Sequence, residues 1–164
     1  MALWSLGLSK ECFRGKMEVE IRNCTKRTAD SRAIKKAVAE TLKLLKLKSD
    51  AVLSVALVGE KKMRSLNKSW RKEDAATDVL SFSFLETGGD DAGATKEAGE
   101  IIICLPVAAK QARLYGLSEK KQVARLAAHG TMHIFGLDHE RSEKEARKMK
   151  EVQKGVLEAL KFKI

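Results

Sequence analysis

The sequence predicts one α/β domain of the α+β kind, a twisted mixed sheet of about four strands packed with about five helices. Three observations carry this. Apolar residues recur with a period of two in some segments and of 3.6 in others, and the two kinds of segment are interleaved along the chain. With 164 residues and 44% hydrophobic content, there is enough material for one core. No internal repeat, low-complexity tract or proline-rich linker divides it.

Residues 1–16 come before any periodic pattern. They are expected to form a disordered extension, leaving residues 17–164 as the domain. Their apolar stretch, MALWSLG, lacks the basic leader and small-residue cleavage site of a signal peptide. From Met17 to Asn23, Val19 and Ile21 alternate with Glu18, Glu20 and Arg22, the pattern of a half-buried strand. Asp30 can cap a helix running to Lys46, with Ile34, Val38, Leu42 and Leu45 on one face. Ala51 to Val58 is nearly all apolar and reads as a buried strand that Gly59 ends. Glu60 to Trp70 carries Met63, Leu66 and Trp70 at helical spacing. Asp78 to Phe84 is the third strand, followed by a Gly- and Asp-rich loop from Glu86 to Gly99. Glu100 to Leu105 is the fourth strand. Pro106 then suits the first turn of a helix that Gly116 terminates. Ser118 and Glu119 open another helix, which ends at Phe135 ahead of Gly136. Ser142 and Glu145 form a capping-box pattern for a last helix, Glu143 to Leu160.

Charge narrows the partners. Lys and Arg number 32 against 22 Asp and Glu, a net +10. Such a surface is either solvated or meets a polyanion such as RNA or an anionic membrane surface. No stretch approaches the ~20 apolar residues of a membrane span. The three cysteines, Cys12, Cys24 and Cys104, are too few and too scattered for a disulfide framework, so a reducing cytoplasmic setting is expected.

The chemistry concentrates in one segment. All three histidines, His129, His133 and His139, fall within HGTMHIFGLDH. Residues four apart on a helix share a face, so His129 and His133 can grip one ion. Gly136 lets the chain leave the helix so that His139 can return as a third ligand. Three imidazoles suit Zn²⁺ and leave its fourth position open, as a catalytic zinc requires. The spacing is zincin-like, but zinc peptidases place a glutamate base directly after the first histidine, and here that residue is Gly130. A metallopeptidase is therefore disfavoured.

HGTMHIFGLDH resembles the H-G-x-x-H-x-x-G-x-D-H signature of the YbeY family of metal-dependent endoribonucleases, the rRNA maturation factors. WRKEDAATDVLSFSF, from Trp70 to Phe84, resembles that family's arginine, polar turn and T-D-V-L-S-F segment, and GEIIIC, Gly99 to Cys104, its G-D-I-x-I-C strand. The resemblance implies a hydrolase with one zinc per chain, cutting single-stranded RNA during 16S rRNA 3′-end maturation and late ribosome quality control. It implies the small ribosomal subunit and its assembly proteins as partners, with neither DNA nor membrane expected. By the same resemblance His129, His133 and His139 are the metal ligands, and the catalytic roles fall on His129 and Arg71. A planar guanidinium at Arg71 can hold a phosphate bidentately. Thr77, Asp78 and Ser81 either line the substrate cleft or serve the turn. Asp138 either orients an imidazole or caps the preceding helix. Phe82, Phe84 and Trp70 read as core rather than as stacking platforms. Basic residues of the last helix, such as Lys148 and Lys154, are a solvated face or a phosphate contact. Two positions depart from the family pattern: Ala76 replaces a proline and Glu100 an aspartate. The competing reading is a ribosome-assembly factor whose zinc only orders the fold.

Overall fold

The computed structural model describes residues 16–85 and 97–161. Among these the strands are β1 (Glu18–Asn23), β2 (Val52–Val58), β3 (Val79–Ser83) and β4 (Glu97–Cys104). The helices are α1 (Ser31–Leu44), α2 (Glu60–Arg71), α3 (Leu105–Leu114), α4 (Glu119–Ile134) and α5 (Glu143–Ala159). The expected extension, residues 1–16, lies outside the described residues except for Lys16.

Apolar content sets the strand order, β1-β2-β4-β3. The two most apolar strands, β2 and β4, take the centre, while half-polar β1 and the short β3 form the edges. β1, β2 and β4 run parallel, and β3 joins β4 antiparallel, so the sheet is mixed as expected. Alternation then splits the core into two layers. Leu53, Val55, Leu57, Ile101 and Ile103 pack with residues of α1, α4 and α5. On the other face Val58, Leu80, Ile102 and Cys104 pack under Met63 and Leu66 of α2.

The predicted caps form. Asp30 accepts a hydrogen bond from Ala33 N at 2.9 Å, Ser118 from Lys121 N at 3.1 Å and Ser142 from Glu145 N at 3.1 Å. The capping box is completed differently, because the Glu145 carboxylate accepts from Asp138 N at 2.8 Å. That bond ties the loop carrying His139 to α5.

Two expectations are corrected. The end of the predicted Glu86–Gly99 loop belongs to β4, since Glu97 pairs with Val52 and Gly99 with Leu53, leaving Ala98 as a bulge. A Cβ on Gly99 would collide with the Phe82 carbonyl oxygen and with Ile134 Cδ1. Glycine is thus required for close approach of β3 and α4 there, a need that composition reads as loop. The rest of that loop, residues 86–96, lies outside the described residues. The second correction is Trp70, which is 66% exposed, stacked at a tilt on Phe82 with ring centroids 5.2 Å apart. Its place near the end of α2 carries it beyond the cover of the sheet. Phe84 is exposed as well, and Phe82 is partly buried against the smaller layer.

Candidate metal centre

The last turns of α4 present His129 and His133 on one face, where α4 packs against β4 and the edge strand β3. Ser83 Oγ of β3 donates to the Ile134 carbonyl at 2.9 Å and pins that end. Gly136 adopts φ 87°, and Leu137 N closes the helix onto the Met132 carbonyl at 3.0 Å. The chain then reverses and returns His139.

The result is one cluster. His129 Nε2 and His133 Nε2 are 3.0 Å apart, and the ring centroids of His139 lie 5.5 Å from each of the other two. One nitrogen from each imidazole falls within 4.8 Å of the others. A tetrahedral zinc with bonds of about 2.0–2.1 Å wants nitrogens roughly 3.4 Å apart, so modest closure suffices. These residues can hold a metal ion. His129 and His133 are half-buried and His139 is exposed, which leaves the cluster open on one side.

Electrostatics favour the ligating form. Burial, then the neighbouring imidazoles, pulls the His129 pKa down to about 4. Burial and the His139 charge likewise lower that of His133. Both rings are neutral at pH 7, as metal ligation requires.

Arg71 is the exposed last residue of α2, and its positive charge is felt at His133, further lowering that pKa. The helix stops there because Lys72 turns left-handed, with φ 63°. The following turn is held without the family's proline. Asn67 Nδ2 donates to the Ala75 carbonyl at 2.8 Å, and Arg64 grips Asp74 through two bonds of 2.8 and 3.2 Å.

The remaining candidates separate. Ser81 follows Val79 on the sheet face that α4 covers, whereas Glu100 shares the opposite face with Ile102. Asp78 serves its own turn: Oδ1 accepts from Val79 N at 2.8 Å and from Thr77 Oγ1 at 3.3 Å. Its other oxygen accepts from Gln111 Nε2 at 3.0 Å, starting a chain the sequence did not suggest. Gln122 Nε2 donates to Gln111 Oε1 at 2.7 Å, and Arg125 Nε donates to Gln122 Oε1 at 3.0 Å. The Asp78 charge still reaches His129, where it opposes the pKa depression. Asp138 spends its carboxylate within its turn, accepting from Glu140 N at 2.9 Å and pairing with Arg141 at 3.8 Å. It acts on His133 through charge. A residue also missed by sequence reasoning, Gln153 of α5, has its amide 3.1 Å from His129 Nδ1.

Gly130 explains why the glutamate of zinc peptidases has no place here. It faces β4, and a Cβ would lie 2.8 Å from Ile101 Cγ2. The position after the first histidine is core, with no opening toward the cluster.

Fold and site together define a mixed α+β domain with a three-histidine cluster suited to one metal ion. The family described as Endoribonuclease YbeY matches residues 17–161. Proteins named Endoribonuclease YbeY from Persephonella marina and Aquifex aeolicus are 35% and 40% identical to this chain over 135 and 108 residues. Those alignments cover 82% and 66% of this chain and 86% and 69% of the relatives. The solution structure of TM1509 from Thermotoga maritima is similar, with a TM-score of 0.57 and 26% identity over 87% of this chain and 88% of that one. The chain belongs to the Endoribonuclease YbeY family.

Proposed function

We propose that this protein is a zinc-dependent endoribonuclease specific for single-stranded RNA, acting in the cytoplasm on the 3′ end of 16S rRNA and in late ribosome quality control. Its partners in that role are the small ribosomal subunit and associated assembly proteins. The observation that carries the reading is the convergence of His129, His133 and His139, within reach of the Arg71 charge, in a chain of this family. The net charge of +10 supports an RNA substrate. Among the described residues, no helix is long and apolar enough to cross a membrane.

Three imidazole nitrogens with one open side fit zinc, which would supply Lewis-acid chemistry toward water and a phosphoryl oxygen. The chain does the rest. The three imidazoles hold the ion, His129 at the more buried end. Arg71 holds the scissile phosphate through its planar fork and offsets the charge that develops on it. Thr77, Asp78 and Ser81 line the approach from the β3 side, and Asp138 keeps the His139 turn in place.

The test is cleavage of single-stranded RNA by zinc-loaded, chelated and His133→Ala protein, with casein as a control. Cleavage by the loaded protein alone is expected. RNA binding without metal-dependent cleavage would instead favour the assembly-factor reading, and casein hydrolysis a peptidase.

A further inference from the structure

The inward face of α5 is built from Met149, Val152 and Val156, all buried. Gln153 sits between them at the same helical spacing, the one amide in an otherwise apolar stripe. Removing a polar side chain from water costs free energy unless it finds a partner. Gln153 finds it in His129, whose Nδ1 is 3.1 Å from the amide nitrogen, Nε2. On the far side of the same ring, Nε2 points at His133. Gln153 therefore touches the His129 nitrogen that faces away from His133.

We infer that Gln153 is a positioning residue for the metal centre, fixing the tautomer and ring orientation of His129. The inference rests on the metal-centre reading above. A neutral imidazole that ligates through Nε2 carries its proton on Nδ1, so Nδ1 must then donate. The acceptor is then the Gln153 amide oxygen, brought there when the amide turns over from the orientation in which its Nε2 faces His129. Amide oxygen and nitrogen have nearly the same shape, so the same side chain can present either one at that place. This matters because His129 and His133 share a hydrogen bond at 3.0 Å through their Nε2 atoms. When His129 donates in that pair, its Nδ1 accepts from Gln153 N–H. When it accepts, or holds a metal, its Nδ1 donates to Gln153 oxygen. A glutamine serves both cases, while an apolar residue would leave a half-buried ring nitrogen without a partner and the ring free to turn.

The experiment measures zinc affinity of the full chain by competition with a chromophoric chelator, alongside the melting temperature of the chelated protein. Gln153→Leu keeps the size and removes the hydrogen bond, and its zinc affinity is expected to fall about 10–100-fold. Gln153→Glu keeps an acceptor and is expected to bind zinc at least as tightly as wild type. A purely structural role would lower the melting temperature without this split between the two variants. Should Gln153→Leu fail to fold, Gln153→Asn, whose amide falls one carbon short, takes its place with the same expected loss. Wild-type affinity in Gln153→Leu or Gln153→Asn overturns the role of Gln153 alone, as does a loss in Gln153→Glu equal to that in the truncated variant. A wild-type chain that takes up no zinc overturns this inference together with the metal centre.

Discussion

Helix α4 carries two polar networks, one in each half. In the first half, Gln122 is fully buried and links Gln111 to Arg125 in a chain that ends on Asp78. Each link there joins a donor to an acceptor, and none of the amides has a proton to lose near pH 7. In the second half, three imidazoles crowd together and leave a side open, and burial with the neighbouring rings lowers the proton affinity of His129 and His133. The first network is closed and holds α3, α4 and the start of β3 in register. The second gathers one nitrogen from each of three rings within 4.8 Å, close enough to share a cation. Closure marks a network that builds the fold, and ligand nitrogens gathered at an open side mark one that can bind an ion.

The largest expected effect breaks the open network. His133→Ala removes one of three ligands, so bound zinc should drop from near one per chain to near none, with RNA cleavage lost in step. The fold should persist, because the layer under α4 is apolar without it. Zinc quantification by mass spectrometry beside circular dichroism checks both. Full zinc occupancy in the variant would remove the cluster from the account.

Arg71→Lys comes next. It keeps a positive charge beside His133 and loses the planar fork. Cleavage should slow by about 10²–10³-fold, with zinc content unchanged and RNA affinity falling far less. Equal single-turnover rates would exclude Arg71 from the reaction.

The closed network is probed by Gln122→Leu. The change leaves Gln111 and Arg125 without their shared partner, and the expected loss is about 1–3 kcal/mol of stability. Zinc content should stay near that of wild type. Urea denaturation read against zinc content separates the two networks, and a variant that loses zinc at full stability would show them to be one.

Much of this contrast was legible in the sequence. The three histidines stand out by spacing alone, and the caps Asp30, Ser118 and Ser142 lie where residue type puts them. What was not legible depends on contacts between distant elements. Gly99 looks like loop composition until Phe82 and Ile134 are brought against it. Trp70 has the helical spacing of a core residue, and only the position of the sheet beneath α2 shows that it is left outside. Glu145 has the capping-box spacing, yet its carboxylate goes to Asp138, seven residues back, because the His139 loop passes over it. Gln153 did leave a signal, one amide within an apolar stripe, but its meaning requires knowing that α5 lies on His129. The roles of Gln111, Gln122 and Arg125 were invisible for the same reason.

The smallest effect uses pH to address the open network alone. In the unfolded chain a histidine takes up a proton near 6.5, while folded His129 does so only near pH 4. Between these values the unfolded state binds the proton and the folded state does not, so lowering the pH from 6.5 to 4 should destabilise the zinc-free protein. Above 6.5 the two states are alike in this respect and no cost arises. The ring is partly exposed, so the loss should be about 1–2 kcal/mol, less than a fully buried group would give. With zinc bound the fall should be steeper, because protons compete with the ion for the same nitrogens. His129→Gln removes the titrating group, so its stability between pH 6.5 and 4.5 should be flatter than that of wild type. The Gln122→Leu variant should keep the wild-type slope from a lower starting point, because the substitution leaves all three imidazoles in place. Urea midpoints at three pH values for the three chelated proteins provide the comparison. Parallel slopes for wild type and His129→Gln would mean that burial and the neighbouring imidazoles do not hold His129 neutral in the folded chain.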